Sequence, residues 1–292
     1  MIFESVKTGF GQTWANKRLI AVFYLVNLIL GLAIAIPIAG LVDSFVGKSM
    51  IRDSLAAGMD WNFLFEFLDI NHKQLPGMGN LFFFIPLIFV LSILFLSGGA
   101  IGVFAGHEKY KPSEFWGNCG QYFGRFFRLA LMSIPLLAIL FSIRLLADGI
   151  ERLFFGADPY ENLAYWFGVA KIGLGIIGLL LYGLVLDYAR IYMVINDEIK
   201  SRVALWRGLK FAVGNIGRTF SLALILFLTG LAVLFVYYHL SNLLSSSHVA
   251  IILLLVLFQQ IYILWRVILR LTFYSGQVNF YKRINPGDTI YR

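Results

Sequence analysis

The sequence predicts an all-α fold, a polytopic membrane protein with a six-transmembrane-helix bundle and amphipathic interfacial helices. Three observations carry this prediction. Mean hydropathy is +0.79, with 59% hydrophobic and 14% charged residues over 292 positions, far from the soluble average. Apolar runs long enough to cross a hydrocarbon core recur six times. Lys and Arg alternate with those runs, about 18 on one side of the expected membrane and about five on the other, whereas acidic residues divide about seven to nine.

The net charge of +8 therefore reads as a positive-inside signature. It predicts a multi-pass protein of the bacterial cytoplasmic (inner) membrane with both termini cytoplasmic. No basic cluster with interleaved aromatics sits on a soluble segment, which argues against nucleic acid as a partner. The expected partners are membrane lipids, anionic ones above all, and a membrane protein is the other candidate. One cysteine, Cys119, excludes an intramolecular disulfide framework and a multi-cysteine metal site. No polar stretch is long enough for a separate soluble catalytic domain.

Residues 1–18 are too polar to span, and Ile2, Phe3, Val6, Phe10 and Trp14 recur at roughly helical spacing, so an inner interfacial helix is expected. A membrane domain over 19–274 follows. Its first span covers about 19–42 behind Lys17 and Arg18. Ala33 and Ala35 resemble a cleavage site, but the apolar run continues past them and a retained span is expected. Residues 43–79 form the longest polar connection, where SMIRDSLAAGMDWNFLFEFLDI suits an amphipathic helix on the outer surface and Pro76-Gly77 a turn. The second span covers about 81–105, with Gly98, Gly102 and Gly106 as small-x-x-x-small steps for a close helix neighbour.

Pro112-Ser113-Glu114 looks like a helix start, and Phe115, Trp116, Tyr122 and Phe123 supply an interfacial face. Spans three and four cover about 126–146 and 164–186, joined by an outer loop carrying Asp148, Glu151, Asp158 and Glu161. A basic amphipathic segment leads to spans at about 220–240 and 249–265, the last continuing as helix to about 274. Residues 275–292 read as a cytoplasmic tail. Pro37, Pro86 and Pro135 each predict a kink.

A shift of 90 residues superposes Glu108 on Glu198, Trp116 on Trp206, Gly124 on Gly214 and Arg128 on Arg218. Residues 1–18 look like a weaker copy. The pattern suggests a threefold repeat, each unit an interfacial helix followed by a two-span hairpin. Trp116, Arg128, Trp206 and Arg218 are its marker residues.

The fragments GGAIGVFAGHEKYKPSEFWGNCGQYFGRFFRLAL and LDYARIYMVINDEIKSRVALWRGLKFAVGN resemble uncharacterised bacterial six-span membrane proteins. More distantly they are similar to the membrane domain found ahead of some glycerophosphodiester phosphodiesterases. The resemblance implies a membrane location and a six-helix bundle. It brings no phosphodiesterase domain and no catalytic residues.

Ionisable groups inside a bilayer are costly and so mark candidate sites. Asp187 and Arg190 lie three apart on one helix face, and Gln259, Tyr262, Arg266 and Arg270 form a polar stripe on the last span. The cluster is either an inward-facing site for an anion or headgroup, or a lock in which Asp187 pairs with Arg190 or Arg266 while arginines snorkel to phosphates. Lys171 is expected to snorkel outward. Scattered histidines and serines give no metal, nucleophile or phosphate-loop spacing, and no cofactor is expected. The preferred expectation is a non-catalytic scaffold, assembly or lipid-organising component. The alternatives are a small transporter for an anionic or amphiphilic solute and an intramembrane lipid-modifying enzyme.

Overall fold

The computed structural model describes residues 2–46, 65, 66, 69, 75–106, 110–156, 160–244 and 248–289. Most of the outer connection 43–79, with its expected surface helix, lies outside the described residues. The described chain is helical, without a strand: α1 (Ile2–Ala15), α2 (Lys17–Val46), α3 (Leu75–Ala105), α4 (Pro112–Met132), α5 (Ile134–Phe155), α6 (Glu161–Ile195), α7 (Ser201–Gly214), α8 (Ile216–Leu243) and α9 (Val249–Ile284), then a 3-10 turn at Pro286–Thr289. Among the described residues six stretches are long and apolar enough to cross a membrane. They lie in α2, α3, α6, α8 and α9, and across α4 and α5 together.

Single polar residues divide each interfacial helix from the span that follows. Asn16 ends α1 with its backbone N–H on Thr13 O and its amide on Gln12 O, while its own carbonyl accepts from Leu19 N. Ser133 ends α4 on Leu129 O, donates its hydroxyl to Ala130 O and accepts from Leu137 N. Asn215 ends α7 on Phe211 O through both backbone and side chain, and accepts from Arg218 and Thr219 N–H. Side chains of this kind supply the bonds that a broken helical ladder lacks.

These corners shape the packing. α4 lies on α3 and α7 on α6, while α1 reaches back to the last helix, α9. Helices α3, α6 and α9 also touch one another at the centre; α2 packs on α3 and α9, α8 on α9 and α6, and α5 mainly on α6. The interfacial helices approach closely through small residues. Ser5, Gly9 and Thr13 form the buried face of α1, and a Cβ on Gly9 would stand 2.8 Å from the Gly276 nitrogen. On α7 a Cβ at Gly208 would stand 2.6 Å from the Ala189 nitrogen. The α3–α4 pair reverses the roles: Gly98, Gly99 and Gly102 on the span receive Tyr122, Cys119 and Asn118.

The buried core gathers where α1, α4 and α7 sit, here called the base. Apart from Val46 and Ile85, its apolar members come from α4 and α7, such as Phe115, Tyr122 and Phe211, and from the base ends of the spans, such as Leu19, Phe23, Ala100, Ile191, Leu222 and Leu271. Toward the other end, Ile36, Ile139, Ile172, Phe235 and Leu253 are exposed, as suits helices surrounded by lipid tails.

Several boundaries differ from the expectation. α9 runs to Ile284 instead of ending near 274, because Ser275, Gly276 and Gln277 are buried. The helix break near the third span falls at Ser133, beside Pro135, and residues 126–132 complete α4. Asp148 and Glu151 belong to α5 rather than a loop. Pro76 and Gly77 sit in the first turn of α3, where proline costs no helical bond.

Candidate polar site at the base of the bundle

α6 enters the base carrying Asp187 and Arg190 on one face, three residues apart. Arg190 Nη1 lies 3.2 Å from Asp187 Oδ1, with the two side chains 12% and 14% exposed. The Arg190 guanidinium also sits over the Phe126 ring of α4, 5.9 Å from its centroid. Tyr188, between them in sequence, is fully buried and packs on Phe211 of α7 at 4.7 Å. Its hydroxyl and Arg190 Nε have no hydrogen-bond partner among the described residues.

From α9, Arg270 donates through Nε to Tyr274 Oη at 3.1 Å and lies over that ring. Asp187 and Arg270 line one cavity of about 260 Å³ among α6, α8 and α9, walled mainly by Leu184, Leu226 and Phe273. Gln277, buried roughly one turn beyond Tyr274, lies beside the Asp187 carboxylate without a bond of good geometry. The cluster thus holds two arginines against one carboxylate. Chemically it can bind an anion or fix helices; the Asp187–Arg190 pair lies within α6, so its ties to α9 and α4 run through Arg270 and Phe126.

The expected stripe divides. Asp187 brings Arg190 and Arg270 together; Arg270, like Gln259 and Arg266, is exposed along α9, but of these three it alone lines the Asp187 cavity. Tyr262 stacks on Tyr237 of α8 with centroids 5.0 Å apart, and the Arg266 guanidinium lies over the Tyr262 ring, 5.8 Å from its centroid. Gln260, next to Gln259, accepts a hydrogen bond of 2.8 Å from Tyr24 of α2. Trp116 and Trp206 are exposed on α4 and α7. Arg128 donates to Gly124 O of its own helix, and Arg218 opens α8.

A belt of polar ties surrounds the site. Glu4 of α1 meets Arg283 of α9 at 2.9 Å, and this guanidinium holds the Glu4 carboxyl below its ordinary range. Gln12 accepts from Ser275 at 2.5 Å and Asn279 at 2.9 Å. Lys282 donates to Ala105 O at the end of α3. Asn16 accepts from Tyr110 N, and Arg125 of α4 holds Asp197 at 2.6 Å. Asp197 has φ +47°, a left-handed conformation that Asp tolerates better than most residues. At the opposite end, Lys171 is bonded to Asp148 at 2.8 Å and Glu151 at 2.5 Å, so it joins α6 to α5 instead of snorkelling.

Sequence reasoning missed Tyr188, Tyr274, Gln277 and Gln12. For Gln277 the available signal is the small and polar run Ser275-Gly276-Gln277, which falls in the stretch 275–292 expected as a tail. Among the described residues no three His, Cys, Asp or Glu side chains gather as a metal site. Compared with known protein families, with curated proteins and with solved structures, the chain matches none.

Proposed function

We propose that this chain is a non-catalytic membrane component that organises lipid, or a lipid-bound assembly, through the helices of its base. The carrying observation is the way α1, α4 and α7 are mounted. Each is keyed to a span by its buried face and turns one tryptophan outward, Trp14, Trp116 and Trp206, exposed by 51%, 46% and 67%. Exposed Lys7, Arg202, Arg207 and Lys210 flank them. An aromatic and basic collar of this composition suits the headgroup region of an anionic leaflet. In the cytoplasmic membrane it would face the cytoplasm with both termini.

Single-tryptophan variants retaining Trp14, Trp116 or Trp206 test this reading in vesicles of brominated phosphatidylglycerol. Expected is stronger quenching by bromine near the headgroup than by bromine deep in the acyl chain. Tryptophans quenched freely by aqueous acrylamide and by neither lipid would overturn it. A second reading is supported by the cavity shared by Asp187 and Arg270: a small transporter for an anionic or amphiphilic solute. It expects Arg270→Gln to abolish solute flux without altering the tryptophan depths.

We also propose that the chain consists of three equivalent units. The polar corners at Asn16, Ser133 and Asn215 support this, as does the pairing of α4 with α3, α7 with α6 and α1 with α9. Gly99 and Ala189, the seats of Cys119 and Gly208, are themselves 90 residues apart. The corners at Ser133 and Asn215 are not, since α4 is 21 residues long and α7 is 14.

A further inference from the structure

Three cavities join end to end along the seam of α5 and α6. The first, about 340 Å³, lies at the base under α7, with Arg202 and Trp206 at its edge and Leu136, Val185 and Leu209 in its wall. Those three leucine and valine positions also line the second, about 200 Å³, which continues to Leu140 and Leu181. Leu140 and Leu181 in turn line the third, about 170 Å³, which ends at Lys171. Between Val185 and Lys171 the groove follows α6 for roughly 20 Å at about 1.5 Å per residue. One leaflet's share of the hydrocarbon core, about 15 Å, fits within that length.

The wall is apolar and its few polar groups are occupied. Tyr182 and Ser133 share a hydrogen bond of 2.8 Å, and the Thr219 hydroxyl bonds to carbonyls of its own corner. The two ends differ in charge. Arg202 is exposed and has no ion pair or hydrogen bond among the described residues. At the far end the cation that lines the groove, Lys171, is already paired with two carboxylates, Asp148 and Glu151. An anionic headgroup is therefore favoured at the base and disfavoured at the other end.

We propose that this groove holds one anionic phospholipid, its phosphate on Arg202 beside Trp206 and one acyl chain along Leu136, Val185 and Leu140. The proposal rests on the lipid-organising reading and adds a defined site to it. Trp206 is suited to the position because an indole combines an apolar ring with a donor at headgroup level.

Native mass spectrometry of the full chain in mild detergent tests it, with added phosphatidylglycerol, phosphatidylcholine of the same acyl chains, or inorganic phosphate. The wild type is expected to retain one phosphatidylglycerol per chain at least about fivefold better than phosphatidylcholine, a margin of about 1 kcal/mol. Arg202→Gln is expected to remove that preference, and Leu136→Trp, which fills the groove, to remove retention of both lipids. Arg152→Gln, an exposed cation in the last turn of α5 that belongs neither to the groove lining nor to the collar, should behave as wild type.

Preference surviving in Arg202→Gln overturns the groove, even where Leu136→Trp fails to fold, because Arg202 is exposed and its replacement spares the core. Displacement of the lipid by millimolar phosphate would reassign the site to a free anion. Shallow tryptophans together with an unchanged Arg202→Gln variant would sink the groove alone and leave the collar reading standing.

Discussion

Gly208 carries much of the contact between α7 and α6, since a Cβ there would fall 2.6 Å from backbone that cannot move aside. Gly208→Val is expected to destabilise the protein by about 3 kcal/mol, the upper end of ordinary overpacking. Gly214→Ala, with open space around it, should cost nothing measurable; thermal unfolding in detergent separates the two. Lys171 makes an opposite prediction about charge. Lys171→Met removes the cation between Asp148 and Glu151 and should lower the unfolding temperature in detergent, while adding Asp148→Asn and Glu151→Gln should recover most of the loss. No recovery in that triple variant would show that Lys171 acts through packing. Asp187 and Arg190 were legible as a pair from their spacing alone. Tyr188, Tyr274 and Gln277 were not, because an aromatic or amide in an apolar helix gives no sign of which way it faces until neighbours are placed.

At the scale of elements, α1 is the most instructive. Of the apolar residues that suggested an interfacial helix, Phe3, Phe10 and Trp14 are exposed, and the face against α9 is Ser5, Gly9 and Thr13. In a bilayer the apolar side chains already have an apolar solvent, so helices associate where small residues allow close contact. The Glu4–Arg283 pair then gives α1 docking a pH dependence. The Glu4 pKa is depressed below its ordinary value of 4.5, so the pair's contribution is complete above that value and is lost as pH falls through the lower, folded one. Amide exchange of α1 should therefore accelerate in acid relative to α7, and Glu4→Gln should abolish the difference. Acid acceleration of α1 over α7 persisting in that variant would assign the effect elsewhere. The Trp116–Trp206 correspondence was visible as two equal letters at one spacing; the corners at Ser133 and Asn215 were hidden, because a serine or asparagine ends a helix only where a neighbour holds the turn.

For the whole molecule, six spans require the two ends of the described chain to lie on one side. In a Cys119→Ala background, single cysteines at Lys7 and Gly287 should be labelled from one side, and those at Tyr160 and Leu243 from the other. If the termini are cytoplasmic, the first pair reacts only after permeabilisation. Labelling of Lys7 and Gly287 from opposite sides would refute an even number of spans. The sequence by itself determined the helical membrane class, the six apolar stretches and the basic side, because hydropathy, length and charge asymmetry are summed along the chain and need no partner. Only the tertiary structure decided that α1 closes onto α9, that Arg270 shares a cavity with Asp187 while Arg266 does not, and that Arg202 and Lys171 stand at the two ends of one groove. Those relations join residues far apart in the chain, and they depend on helix rotation and close approach, which in an apolar solvent are set by shape and leave little trace in hydropathy.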